Sequence, residues 1–178
     1  MPPMIFRDTK PAVIQVVGYK NTGKTTLVCR LTELLKLASY KVGTIKRDAH
    51  DFRMDTPGTD TWKHQAAGAD ITAISSDSRS AILMNESATL GQLLSNMNSV
   101  DIVLVEGFKH ESHPKLVLVR NEEDAELLGS LSHVAAVVLW PETTEIAGLT
   151  GLLSGIPKYS IDDAEGLLAF ILQLAKQR

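Results

Sequence analysis

The chain has a single cysteine, Cys29, in 178 residues. One thiol excludes an internal disulfide framework and fits a reducing compartment. No apolar run approaches the roughly 20 residues that a membrane helix needs. The stretch from Met1 to Pro11 carries Pro2, Pro3 and Pro11 and no apolar segment, so it reads as a flexible lead-in and not as a signal peptide. Neither sign of charge dominates: 18 Lys and Arg stand against 21 Asp and Glu, and the net charge of −3 is not that of a general nucleic-acid binder. No Ser–His–Asp arrangement, paired-carboxylate hydrolase signature, internal repeat or low-complexity tract is found. The expectation is one cytoplasmic domain from 12 to 178, long enough to bury a core, with no nucleic-acid or membrane partner.

What is present is concentrated near the N-terminus. Gly18-Tyr19-Lys20-Asn21-Thr22-Gly23-Lys24-Thr25-Thr26 fits G-x-x-x-x-G-K-[ST] at every fixed position. Ala12 to Val17 before it reads as a buried strand, and Lys24 to Ala38 after it as an amphipathic helix with Leu27, Leu31, Leu34, Leu35 and Ala38 on one face. Strand, glycine loop and helix in that order define a P-loop. Gly18, Asn21, Thr22, Gly23, Lys24, Thr25 and Thr26 are the expected phosphate-binding residues, through backbone N–H groups and the positive end of the helix. Lys24 is expected to reach the β- and γ-phosphates and Thr25 to ligate Mg²⁺. Cys29 lies off the helix stripe and reads as a small filler against a neighbour.

Further strands are expected at 40–46, 69–75, 80–84, 101–105, 115–119 and 133–139. Helical spacing appears at 59–67, closed by Gly68, and at 89–97. The last helix is expected over 162–176, with Asp162 or Asp163 as its N-cap and Leu167, Leu168, Ile171, Leu172 and Ala175 buried. Alternating strands and helices predict an α/β three-layer sandwich with a mostly parallel sheet, a P-loop nucleoside triphosphate hydrolase fold. Its ligand is expected at the carboxyl ends of the strands.

Asp101-Ile102-Val103-Leu104-Val105-Glu106-Gly107 has the form of a Walker B strand. It delivers Glu106 to the carboxyl edge to hold Mg²⁺ or orient the attacking water, while Gly107 lets the backbone approach the γ-phosphate. The charged loop 46–55 stands where P-loop proteins often carry a switch segment. Asp48 and Asp51 are its candidates for metal or water, and Lys46 and Arg47 for phosphate or an anionic partner. The catalytic candidates are thus Lys24, Glu106 and Asp48, and the metal candidates Thr25, Asp48 and Glu106. Trp62 is either core or a stacking surface. His110 and His113 lack a cysteine partner and read as loop residues, not as a zinc site. No N-K-x-D or T-K-x-D motif fixes guanine; Trp140-Pro141-Glu142 stands where one is expected. Two rival readings use the same phosphate loop. One is a small-molecule kinase, which needs an arginine-rich lid not seen here. The other is a carrier that binds a cofactor by its own phosphate or pyrophosphate, without hydrolysis.

G-Y-K-N-T-G-K-T-T, T-I-K-R-D-A-H-D-F-R-M-D-T-P-G-T-D-T-W-K-H-Q-A-A-G-A and V-E-G-F-K-H-E-S-H-P-K together resemble the MobB family, the molybdopterin-guanine dinucleotide biosynthesis adaptor proteins. The resemblance runs from about Val13 to Arg120. It implies a P-loop GTPase-like fold of the class that includes nickel-insertion and signal-recognition GTPases. It also implies a GTP-binding homodimer with weak hydrolysis that assists the nucleotidyltransferase MobA, which attaches GMP to molybdopterin. Gly18, Gly23, Lys24, Thr25 and Thr26 match the family's phosphate loop, and Glu106-Gly107 its Walker B strand. Asp48, His50 and Asp51 lie in its switch-like block, where Arg47-Asp48-Ala49 stand in place of a histidine-rich version.

Overall fold

The central strands are mostly apolar on both faces, and this pattern builds the sheet. The computed structural model describes residues 10–48, 50–143 and 155–176. Most of the lead-in, 1–9, and Ala49 of the charged loop lie outside the described residues. The chain forms two compact units: Met1–Arg47 with Leu93–Arg178, and Asp48–Gln92.

In the first unit β1 (Ala12–Val17), β2 (Val42–Lys46), β5 (Ile102–Glu106), β6 (Lys115–Val119), β7 (Val134–Leu139) and β8 (Lys158–Ser160) form one sheet in the order β2-β5-β1-β6-β7-β8. All its pairings are parallel. Ala12, Ile14, Val16, Ile102, Leu104, Leu116, Leu118, Ala136 and Val138 pack with the stripes of α1 (Lys24–Leu37) and the C-terminal helix, here α5 (Ala164–Lys176). The alternate residues Val17, Val117, Val119, Val137 and Leu139 form a second cluster with Ala125 of α4 (Glu122–Glu126) and Leu127 of the 3₁₀ turn that follows it. Successive strand side chains point to opposite faces, so helices on both faces account for the unbroken apolar runs and give the expected three layers. Leu31, Leu35, Leu167 and Ile171 have no exposed surface, and burial of each contributes roughly 1.5–3 kcal/mol.

The expected stripe of α1 is corrected at its end: Ala38 is exposed and caps the helix, while Val28 is buried instead. Cys29 is exposed and packs no core. On α5 Leu167, Ile171 and Ala175 are buried as expected, whereas Leu168 and Leu172, also expected in the buried stripe, are only half-buried. Asp163 supplies the cap, accepting from the Gly166 N–H at 2.9 Å.

The second unit holds α2 (Asp60–Ala66) and the antiparallel hairpin β3 (Ile71–Ser75) and β4 (Ser80–Met84). Its turn is the polar 75–79 stretch, closed by a 2.7 Å bond from the Ser76 N–H to the Arg79 carbonyl. Thr59 caps α2, accepting from the Trp62 N–H at 3.3 Å. Trp62 is 41% exposed, which settles it as a surface side chain. The helix α3 (Leu90–Ser95) carries the chain back into the first unit.

Candidate functional site

β1 ends at Val17, and the chain turns through residues 18–23 before α1 begins at Lys24. Two glycines are required by geometry. A Cβ on Gly18 would stand 2.7 Å from Thr22 Oγ1 and 3.1 Å from the Leu118 carbonyl oxygen. Gly23 has φ 91°, and a Cβ there would meet the Trp140 ring at 3.0 Å.

Three loop carbonyls are tethered, one from within the loop and two from outside it. Thr22 Oγ1 donates to the Tyr19 carbonyl at 2.9 Å, Arg120 Nη1 to that of Asn21 at 2.8 Å, and Trp140 Nε1 to that of Thr22 at 3.0 Å. In a trans peptide the carbonyl and the following N–H point opposite ways. Each tethered oxygen therefore aims the N–H of Lys20, Thr22 or Gly23 away from its tether. Arg120 is itself fixed by Asp124 (Nε to Oδ2, 3.3 Å), a carboxylate that is almost fully buried. At the helix start, Gly23 provides no side-chain cap and the first turn of α1 has no acidic residue. Its leading N–H donors thus keep their positive field without an internal anion.

The sheet register brings the rest of the site to this loop. Glu106 pairs with Val16 on one side and with Lys46 on the other, so the end of the Walker B strand lies beside the end of β1. Thr25 Oγ1 lies 2.9 Å and 3.0 Å from the two Glu106 carboxylate oxygens, to which it donates. Lys46 Nζ is 3.3 Å from Glu106 Oε1. Lys24 Nζ donates to the Tyr19 carbonyl at 2.6 Å, and burial holds its ammonium below the usual lysine value, against the pull of Glu106. Gly107 has φ 92° and donates to the Val16 carbonyl at 3.1 Å. Thr26 is exposed on the first turn of α1. Six of the sequence-derived residues, 18 and 21–25, therefore form one loop and helix start, and Glu106 joins them through Thr25. Asp48 is exposed at the head of the second unit, where its Oδ1 accepts from the His50 N–H at 3.3 Å.

This donor set fits a nucleotide phosphate with Mg²⁺. The uncapped helix start suits a phosphate, and a hydroxyl beside a carboxylate suits a hard cation that prefers oxygen. Among the described residues no group of three or more His, Cys, Asp or Glu could hold a metal by itself. A cation here would draw its other ligands from phosphate and water.

Several supporting residues were invisible to motif reading. Gln15, fully buried in β1, donates to the Gly107 and Phe108 carbonyls at 3.1 and 2.6 Å and accepts from the His113 N–H at 3.3 Å. Lys115, also fully buried, donates to the His113 carbonyl at 3.1 Å and to that of Glu111. Together they hold the loop that follows Glu106. A polar residue inside an apolar strand run was the available signal for both.

A parallel sheet with a tethered glycine loop after its central strand, a lysine and a threonine at the helix start, and an acidic residue on the adjacent strand define a P-loop protein of the nucleoside triphosphate hydrolase type. The comparisons narrow the class. The model of the family "MobB: Molybdopterin guanine dinucleotide synthesis protein B" matches residues 13–140, and the chain belongs to that family. It is 31% identical over 167 residues to the molybdopterin-guanine dinucleotide biosynthesis adapter protein of Escherichia coli, covering 90% of this chain and 91% of that one. It is 34% identical over 132 residues to a Methanocaldococcus jannaschii relative named for the same adapter role; that match takes in 71% of this chain and spans 54% of the relative's length. Among solved structures it resembles Bacillus subtilis MobB, with a TM-score of 0.73 and 29% identity, over 94% of this chain and 99% of the other.

Proposed function

We propose that the chain is a GTP-binding adaptor in molybdenum cofactor biosynthesis. It would assist a MobA-type nucleotidyltransferase in attaching GMP to molybdopterin, as a cytoplasmic homodimer with weak hydrolysis of its own. Membership of the MobB family supports the pathway. The observation that carries the nucleotide reading is the start of α1, which has no side-chain cap and no acid, with Lys24 and the Thr25–Glu106 pair beside it.

In this reading the N–H groups of the 18–26 loop bind phosphate oxygens, and Lys24 leaves the Tyr19 carbonyl for the β- and γ-phosphates. Thr25 and Glu106 would hold Mg²⁺, which supplies charge neutralisation at the phosphates. Glu106 also orients water, and Gly107 approaches the γ-phosphate. Hydrolysis would be slow, since no arginine finger is identifiable in the sequence and one is worth several orders of magnitude in this class. Residues 12–178 act as one P-loop domain, with 48–92 as an insertion after β2. The order of that insertion would report the nucleotide state to the partner.

The test is a reconstituted reaction containing the nucleotidyltransferase, molybdopterin and GTP. Added protein should raise the rate of guanine dinucleotide formation and co-purify with the transferase. No stimulation and no co-purification would remove the adaptor role.

A further inference from the structure

The last residue of β2 carries a charge that phosphate binding does not account for. Lys46 Nζ lies 3.3 Å from Glu106 Oε1 and 3.5 Å from Thr25 Oγ1. Thr25 and Glu106 are themselves hydrogen-bonded at 2.9 and 3.0 Å. A cation of the chain's own therefore sits against the same hydroxyl and carboxylate that suit a divalent ion. Its placement is set by the fold, because β2 and β5 pair Lys46 with Glu106 in register and the Arg47 N–H donates to the Glu106 carbonyl at 2.9 Å.

The two partners differ in freedom. The Glu106 side chain is 9% exposed and that of Lys46 is 54% exposed. The ammonium can withdraw into water, and the carboxylate cannot. Lys24, the other lysine of the site, donates instead to the Tyr19 carbonyl at 2.6 Å.

We infer that Lys46 is an internal counter-ion that holds the cation's place at Thr25 and Glu106 and yields it when Mg²⁺ arrives with the nucleotide. The inference rests on the nucleotide reading above. A nearly buried carboxylate left without a partner is costly, and Lys46 removes that cost while no divalent ion is bound. Mg²⁺ binds oxygen at about 2.0–2.1 Å in octahedral geometry, so an ammonium cannot keep its place against the same oxygens. The exchange takes place one residue before the boundary at Arg47, after which the chain enters the second unit. It also has a measurable consequence. Without Mg²⁺, the incoming phosphates face a Glu106 already neutralised by Lys46, so affinity depends only modestly on the metal.

Calorimetric titration of the full chain with GTP, in Mg²⁺ and in EDTA, tests this on wild type, Lys46→Met and the double variant Lys46→Met/Glu106→Gln. Lys46→Met should weaken binding in EDTA by roughly tenfold or more, the scale of a close charge left uncompensated, and alter binding in Mg²⁺ by less than about threefold. The ratio of the two affinities therefore widens. In the double variant the affinity in EDTA should return toward wild type, because no carboxylate remains to neutralise. Equal shifts in both buffers for Lys46→Met, or an EDTA affinity that the second substitution does not restore, would overturn the role given to Lys46 and leave the nucleotide reading standing. Absence of GTP binding by wild type in either buffer would overturn both.

Discussion

Helix starts in this molecule are built in two ways. At α4, Asn121 accepts from the Asp124 N–H at 2.9 Å, and the first turn carries Glu122, Glu123 and Asp124. At α2, Thr59 provides the cap and Asp60 the acid. Both follow the ordinary rule that a polar cap and negative charge stabilise an N-terminus. The start of α1 has neither, with a left-handed glycine in the cap position and a partly desolvated lysine in the first turn. A cap is worth about 1 kcal/mol, so the longest helix of the described residues forgoes stabilisation that shorter ones take. In the nucleotide reading proposed above, local stability is withheld where an external anion would complete the structure.

Substitutions that exchange the two designs test this contrast. Lys24→Ala should have the largest effect, weakening triphosphate binding at least about 100-fold through loss of charge-assisted hydrogen bonds, with circular dichroism unchanged. Unaltered affinity would remove the P-loop assignment. Thr26→Glu would place an acid in the first turn of α1, as in α4. It should cost roughly tenfold in affinity while adding about 0.3–1 kcal/mol to the stability of the unliganded protein. A loss of both would show that the open start is not a trade against stability. Asn121→Ala makes the opposite change, removing a cap where no phosphate is expected. It should lower stability by about 1 kcal/mol in denaturant unfolding and leave GTP affinity within about threefold.

The smallest effect concerns pH. Burial lowers the Lys24 value in the folded state, so the unfolded chain binds that proton more tightly. The cost is full below the lowered folded value and fades as pH rises from there toward the ordinary 10.5. Unfolding free energy of wild type relative to Lys24→Met should therefore rise with pH in that alkaline interval. A flat or falling difference would contradict the assigned desolvation.

Legibility in the sequence followed the range of the interactions. The 18–26 loop was readable because phosphate geometry demands fixed glycines, a lysine and a threonine within nine adjacent positions. Glu106 was readable because an apolar strand ends in an acid. The strand β8, Lys158–Ser160, is too short to show a period, and α4 has Ala125 as its only apolar residue, so neither was found. The tethers were hidden for another reason. Gln15 reaches carbonyls 92 and 93 positions away, and Trp140 one that is 118 away, so these bonds exist only once the sheet is ordered. The strand ending at Lys46 and that lysine's candidacy for phosphate were readable, but not that β2 ends level with Glu106, which pairs Lys46 with that carboxylate.

The most direct test of the central claim is isothermal calorimetry of the purified chain with GTP and with ATP, each with Mg²⁺. The account predicts that GTP binds at one site per chain and is preferred over ATP. No binding of either nucleotide, or a preference for ATP, would contradict it.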